Sequence, residues 1–167
     1  MPPLPPAGLS LPPAYTLHTG YPRSTSYRHL RAASGLTHVT EAQAVASLDG
    51  SWFGCYITYS RPNPNPEPEP ESEPAEETTV VAMGRIIGDG GWYFHIADMA
   101  VLPEHQRRGL GDVVLKTLLG RIGGEDVPAG KKFVSLLADE PGRRLYAKNG
   151  FVDAAPKELG MVLLMGD

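Results

Sequence analysis

This chain has little of what several large protein classes require. It holds one cysteine, Cys55, so no intramolecular disulfide can form, and a reducing compartment is expected. The cytoplasm is the expected location, with the nucleus as the other reducing option. No apolar run approaches the roughly 20 residues of a membrane-spanning helix, so no membrane partner is expected. The opening Met1-Pro2-Pro3-Leu4-Pro5-Pro6 has neither the basic nor the apolar region of a secretory signal. Basic residues are not in excess: the formal net charge is −4, which argues against a nucleic-acid partner. One arginine and six glutamates fall in residues 61–77, so the rest of the chain is near neutral. The histidines and the single cysteine form no metal-ligand spacing, and no metal is expected.

Proline and glycine mark the organisation instead. Residues 1–13 form a proline-rich N-terminal segment. Residues 61–77 alternate proline with glutamate and asparagine, which read as an acidic, solvated loop insertion. The 167 residues are otherwise expected to form a single domain.

Strand is expected at Ala14–Leu17 and helix at Ser24–Ala33, with Ser24 or Thr25 as cap and Tyr27, Leu30 and Arg31 at helical spacing. Thr40-Glu41-Ala42-Gln43 starts a second helix, with Ala42, Val45, Ala46 and Leu48 as its apolar side. Trp52–Tyr59 and Thr78–Ile87 read as strands. Gly88-Asp89-Gly90-Gly91 is a hairpin turn into Trp92–Val101. Gly111–Ile122 is helical, Lys132–Ala138 a strand and Pro141–Lys148 a short helix. Phe151-Val152 and Met161–Met165 are expected to supply a last strand pair. The fold class is a mixed α/β (α+β) sheet, largely antiparallel, flanked by helices.

Between the apolar strand ending at Val101 and the helix lies Gln106-Arg107-Arg108-Gly109-Leu110-Gly111. The first N–H groups of a helix lack intrahelical partners and carry the positive end of its dipole. Glycine lets an anion come close, and the arginines add charge, so this turn is a phosphate cradle. It is not a Walker loop. It lacks the third glycine of a dinucleotide fingerprint, and it follows a hairpin rather than a parallel βαβ unit. It does match [Q/R]-x-x-G-x-[G/A] at every position, and here the chain resembles the GNAT superfamily of acetyl-CoA-dependent N-acetyltransferases. Met99-Ala100-Val101-Leu102-Pro103 is similar to that superfamily's fourth strand, and Arg144-Leu145-Tyr146-Ala147-Lys148-Asn149-Gly150-Phe151 to its late helix and following strand.

The resemblance implies a sheet splayed between the fourth and fifth strands, with acetyl-CoA (CoA) as cofactor. Gln106, Arg107, Arg108, Gly109, Leu110, Gly111 and Asp112 would hold its pyrophosphate. The backbone of Met99, Ala100 and Val101 would line the pantetheine arm. Tyr146 would be the general acid toward the CoA sulfur. Asp139 stands where many members carry Asn, and an ionised Asp only accepts hydrogen bonds. Arg143 or Arg144 could contact a CoA phosphate.

An amine nucleophile must first lose a proton. The strand Trp92–Val101 offers Asp98 and His95, three positions apart and so on opposite faces unless a bulge intervenes. Asp98 is the more constrained of the two and the first choice as base; His95 is the alternative. Tyr27, Trp52 and Phe94 are candidate walls for the acceptor. An aromatic, acid-containing site suits a small primary amine, arylalkylamine- or polyamine-like, acetylated directly in a ternary complex. The alternatives are a protein or peptide N-acetyltransferase and a non-catalytic acyl-CoA-binding module. The expected partner is a small-molecule amine, with a homodimer left open.

Overall fold

Tyr15–Thr19 (β1), Phe53–Ser60 (β2), Thr78–Gly88 (β3), Tyr93–Val101 (β4) and Phe133–Ser135 (β5) form one sheet in the order β1-β2-β3-β4-β5. The computed structural model describes residues 10–61 and 78–165. Most of the proline-rich segment and all but Arg61 of the acidic loop lie outside them. Neighbouring strands are antiparallel except β4 and β5, which run parallel and are joined through helix α3, Leu110–Ile122. Parallel neighbours need such a crossover, and a hairpin could not make it. The described chain divides into two compact units, residues 1–135 and 136–167.

In the first unit, helices α1 (Ser24–Ala33) and α2 (Glu41–Asp49) lie on one face of the sheet and α3 on the other. Adjacent residues of β3 settle this. A Cβ on Gly84 would strike Met99, Val114 and Leu118, so Gly84 makes the room in which Met99 packs beneath α3. Next to it, Arg85 points the opposite way and reaches the Ser47 carbonyl and Ser51 Oγ at the end of α2. The α3 row Val113, Val114, Leu115, Leu118 and Ile122 is buried against β2, β3 and β4. Burying a side chain of this size stabilises by about 1.5–3 kcal/mol.

α1 keeps its expected bounds, and Tyr27, Leu30 and Arg31 form its buried side. Its N-cap is Arg23, with no side-chain cap; Ser24 Oγ instead donates to Glu41. α2 starts with a capping box in which Thr40 and Gln43 exchange side-chain and backbone bonds. Its buried row is Ala44 and Leu48, one turn apart. Of the expected apolar side, Leu48 is buried, while Ala42, Val45 and Ala46 face solvent. In the hairpin after β3, Asp89 Oδ1 accepts from the N–H groups of Gly91, Trp92 and Tyr93.

The second unit holds a 3-10 turn, Glu140–Gly142, and helix α4, Arg143–Lys148. Gly142 leaves space for the Tyr146 ring, and Gly150 (φ +88°) ends the helix. The expected last strand pair does not form. Phe151-Val152 and Met161–Met165 have irregular backbone, and Val152, Met161 and Leu164 are exposed. Strand propensity describes fit to a half-buried pleated surface, and Gly150, Pro156 and Gly160 interrupt any run long enough to provide one. β5 likewise stops at Ser135, three residues short of the expected Ala138.

Candidate active site

β4 carries the site because its two halves have different neighbours. Tyr93, Phe94 and His95 pair with Phe133, Val134 and Ser135 of β5; beyond that row the parallel ladder ends while β4 continues to Val101. The His95–Ser135 row is therefore the last rung between the fourth and fifth strands, and β4 runs on from it without a β5 partner. His95 Nδ1 and Ser135 Oγ close that rung with a 3.0 Å hydrogen bond.

Asp98 is a bulge. Its φ is +54°, and the β3–β4 register slips there, from Arg85↔Ala97 to Met83↔Ala100. The extra residue brings Asp98 to the face that Arg85 and His95 share, which simple alternation forbids. There its carboxylate takes three donors. Tyr27 Oη lies 2.5 Å and Arg85 Nε 2.6 Å from Oδ2, and Arg31 pairs with Oδ1. Arg31 is held in turn by the Thr37 carbonyl. Burial alone would raise the Asp98 carboxyl. The Tyr27 hydroxyl and the Arg85 and Arg31 guanidinium groups outweigh it and keep the group below the ordinary carboxylate range. Burial and the Asp98 bond push the Tyr27 hydroxyl upward, so it stays a donor. His95 is half-buried. Burial, then the charge of Arg85, lower its pKa against the opposing pull of Asp98, so the ring is neutral near neutral pH.

The expected acceptor walls do not converge. Tyr27 is 1 % exposed and committed to Asp98. Phe94 is also 1 % exposed and lies on the α3 face, edge-on to Trp52 at 5.0 Å. Trp52 is capped on that face by Arg121, 4.5 Å from the ring centre. Sequence alternation alone could separate Phe94 from His95, but Arg31 and Arg85 as partners of Asp98 carry no local signal. One further cavity, with room for about one water, lies among Tyr21, Tyr27, Cys55, Met83, Arg85 and Asp98. Burial pushes the Cys55 thiol up to about 12, so it is no nucleophile.

The turn after β4 is built from backbone. Arg107 (φ +59°) and Gly109 (φ +81°) are both left-handed, a conformation that collects N–H groups into an anion-binding nest. A Cβ on Gly109 would meet nothing within 4 Å, so the approach to the first turn of α3 is open. Arg107 and Arg108 are exposed. These features fit a pyrophosphate. Asp112 does not point to one: it is buried and paired with Lys116 at 2.9 Å. Leu110 is core, and Gln106 Nε2 bonds the Val101 carbonyl at 3.1 Å. The bond from Leu102 N–H to the Val81 carbonyl sets the phase of β4 and turns the Val101 peptide groups away from β3. Ser34 Oγ also donates to that carbonyl, so its two acceptor positions are used and the Val101 N–H is the group left to meet a pantetheine. The Met99 side chain is packed beneath α3.

In the second unit, Tyr146 lies on α4 with its ring edge-on to Phe151. Burial and the charge of Asp139 raise its pKa, so the hydroxyl keeps its proton. Arg143 and Arg144 are exposed. Among the described residues no group of His, Cys, Asp and Glu could hold a metal, and no helix is long and apolar enough to cross a membrane.

Residues 75–153 match the family model of the acetyltransferase (GNAT) domain. Comparison with curated protein sequences gives no match. Among solved structures, SA2161 of methicillin-resistant Staphylococcus aureus, a protein of unknown function and probable acetyltransferase, is 27% identical. It superposes with a TM-score of 0.74 over 90% of this chain and 99% of that one. The ribosomal-protein-S18-alanine N-acetyltransferase of Escherichia coli has a TM-score of 0.59 at 14% identity, over 84% and 79%. Glucosamine-6-phosphate N-acetyltransferase of Arabidopsis thaliana has a TM-score of 0.56 at 15% identity, over 90% and 99%.

Proposed function

We propose that this chain, which belongs to the GNAT superfamily of acetyltransferases and is an acyltransferase, moves an acetyl group from acetyl-CoA to a small primary amine by direct transfer in a ternary complex. The observation that carries this reading is the placement of His95 at the last rung between β4 and β5, on the strand that leads into the Arg107–Gly109 nest. When bound, acetyl-CoA supplies the activated acyl carbon and a thiol leaving group. Gly109, Gly111 and the arginines hold its pyrophosphate, and the Val101 N–H aligns its arm.

His95, not Asp98, serves as base in this reading. Asp98 is engaged by three donors and weakly basic, whereas His95 is neutral where an amine must be deprotonated. With Nδ1–H donating to Ser135 Oγ, Nε2 carries the lone pair that takes the ammonium proton, directly or through a water. The amine nitrogen would then bond the acyl carbon as the carbon–sulfur bond breaks; the family resemblance, not the placement of α4, assigns the departing sulfur's proton to the Tyr146 hydroxyl. The buried, protonated Cys55 supports direct transfer, since the chain has no other thiol to carry the acetyl group. Structural neighbours with the same fold act on a protein's alanine amine and on an amino sugar, so the choice of a small amine rests on the site and not on the fold.

CoA release in the presence of small amines, and none with histone-like peptides at equal amine concentration, is the expected result. Saturable CoA binding with no release across both panels would replace the enzyme reading with the binding-module one.

A further inference from the structure

The face of the sheet that carries His95 also carries a strip of apolar side chains left exposed by α1 and α2. Ile87, His95 and Ser135 form one row across β3, β4 and β5; Tyr93 and Phe133 form the next row outward. The two rings meet edge-to-face at 5.6 Å. Tyr93 is 60%, Ile87 43% and Phe133 38% exposed, so three large apolar side chains lie side by side in solvent at the β5 end of the sheet. Rows on one face lie about 7 Å apart, twice the rise per residue. An aryl ring seated on the outer row therefore has its short alkylamine chain directed along the strand toward the His95 row.

The charge behind the strip narrows the class further. Arg31 and Arg85 carry two positive charges against the single carboxylate of Asp98, and Arg85 already disfavours a proton on His95. The nearest acid on the hairpin, Asp89, spends one oxygen on three N–H groups of its own turn and lies below the ordinary carboxylate range for that reason. A second ammonium on the acceptor would meet the net positive charge of the Arg31–Arg85–Asp98 cluster.

From this we infer that Tyr93, Phe133 and Ile87 are the acceptor subsite, and that the acceptor is an arylalkylamine rather than a polyamine. The aryl group lies on the Tyr93–Phe133 pair and its amine reaches Nε2 of His95. The inference rests on the amine-acetylating reading above and specifies its substrate. It also replaces Tyr27, Trp52 and Phe94 as the acceptor walls.

The test is CoA release by the full chain with 2-phenylethylamine, n-butylamine and spermidine, with acetyl-CoA affinity measured separately by calorimetry. The wild type is expected to favour phenylethylamine over the other two in kcat/KM by about tenfold or more, the worth of burying a ring of this size. Tyr93→Ser and Phe133→Ser should each shrink that ratio severalfold and leave acetyl-CoA affinity in place. Spermidine preferred, or a ratio unchanged in both variants, overturns the subsite while amine acetylation stands. A dimer lost in Tyr93→Ser with selectivity intact does the same, by giving the strip to a second copy. Acetyl-CoA binding with none of the three amines acetylated removes the amine reading and the subsite together.

Discussion

Two regions flanking β4 are built by opposite means. Around Asp98, side chains do everything: Tyr27, Arg31 and Arg85, from α1 and β3, converge on one carboxylate and are tied in turn to Thr37, Ser47 and Ser51. At Gln106–Gly111 the backbone does the work: two left-handed residues and a helix N-terminus, with both arginines in solvent. The first is closed on itself and leaves little to offer a substrate. The second is open and offers N–H groups. Charge density singles out the first, while the open N–H groups of the second are what an anion needs.

The sharpest way to break this contrast is Asp98→Ala. It leaves two largely buried guanidinium groups without their acid and should cost about 3–5 kcal/mol in urea unfolding. A variant as stable as the wild type would show the cluster is not structural. The wild-type contribution is also pH-dependent. Because the folded Asp98 titrates below its ordinary value, the stabilisation is present above about pH 4 and lost as pH falls through that lower value.

Next in size, His95→Gln should lower turnover by about 100-fold with little change in stability or in acetyl-CoA affinity. Tyr146→Phe should cut turnover and leave cofactor binding near its original value; equal kcat at saturating amine would take Tyr146 out of the mechanism. Gly109→Val places a β-branched residue at φ +81° and over the open helix end. It should weaken acetyl-CoA binding about tenfold by calorimetry, with Tm moved far less than by Asp98→Ala.

The smallest effect is the most discriminating. The acid limb of the kcat profile should fall below pH 6.5, since burial and Arg85 outweigh Asp98 at His95. Asp98→Asn should move that limb lower still, because the one charge favouring the imidazolium is gone. Were Asp98 the base, the limb would vanish with the activity.

The parts of this molecule legible in the sequence are those whose cause is local. Gln106–Gly111 carries its own glycine and its own helix, the Asp89 turn its own glycines, and α1 its own i, i+3, i+4 row. The Asp98 cluster is not of this kind. Arg31 is 67 residues away from it, and the bulge that aims Asp98 at Arg85 has no residue signature. The same limit explains α2, where Ala44 and Leu48 are chosen by what they pack on. It also explains the tail, where apolar content at Met161–Met165 promised a strand that no ladder completes.

Cys55 has a practical consequence at the bench. The only thiol of the chain is 1 % exposed and protonated at any ordinary pH, so a thiol-reactive dye sees nothing while the protein is folded. The colour that develops during turnover is then the CoA product alone. Without substrate, the slow labelling of Cys55 becomes a clock for how often β2 opens.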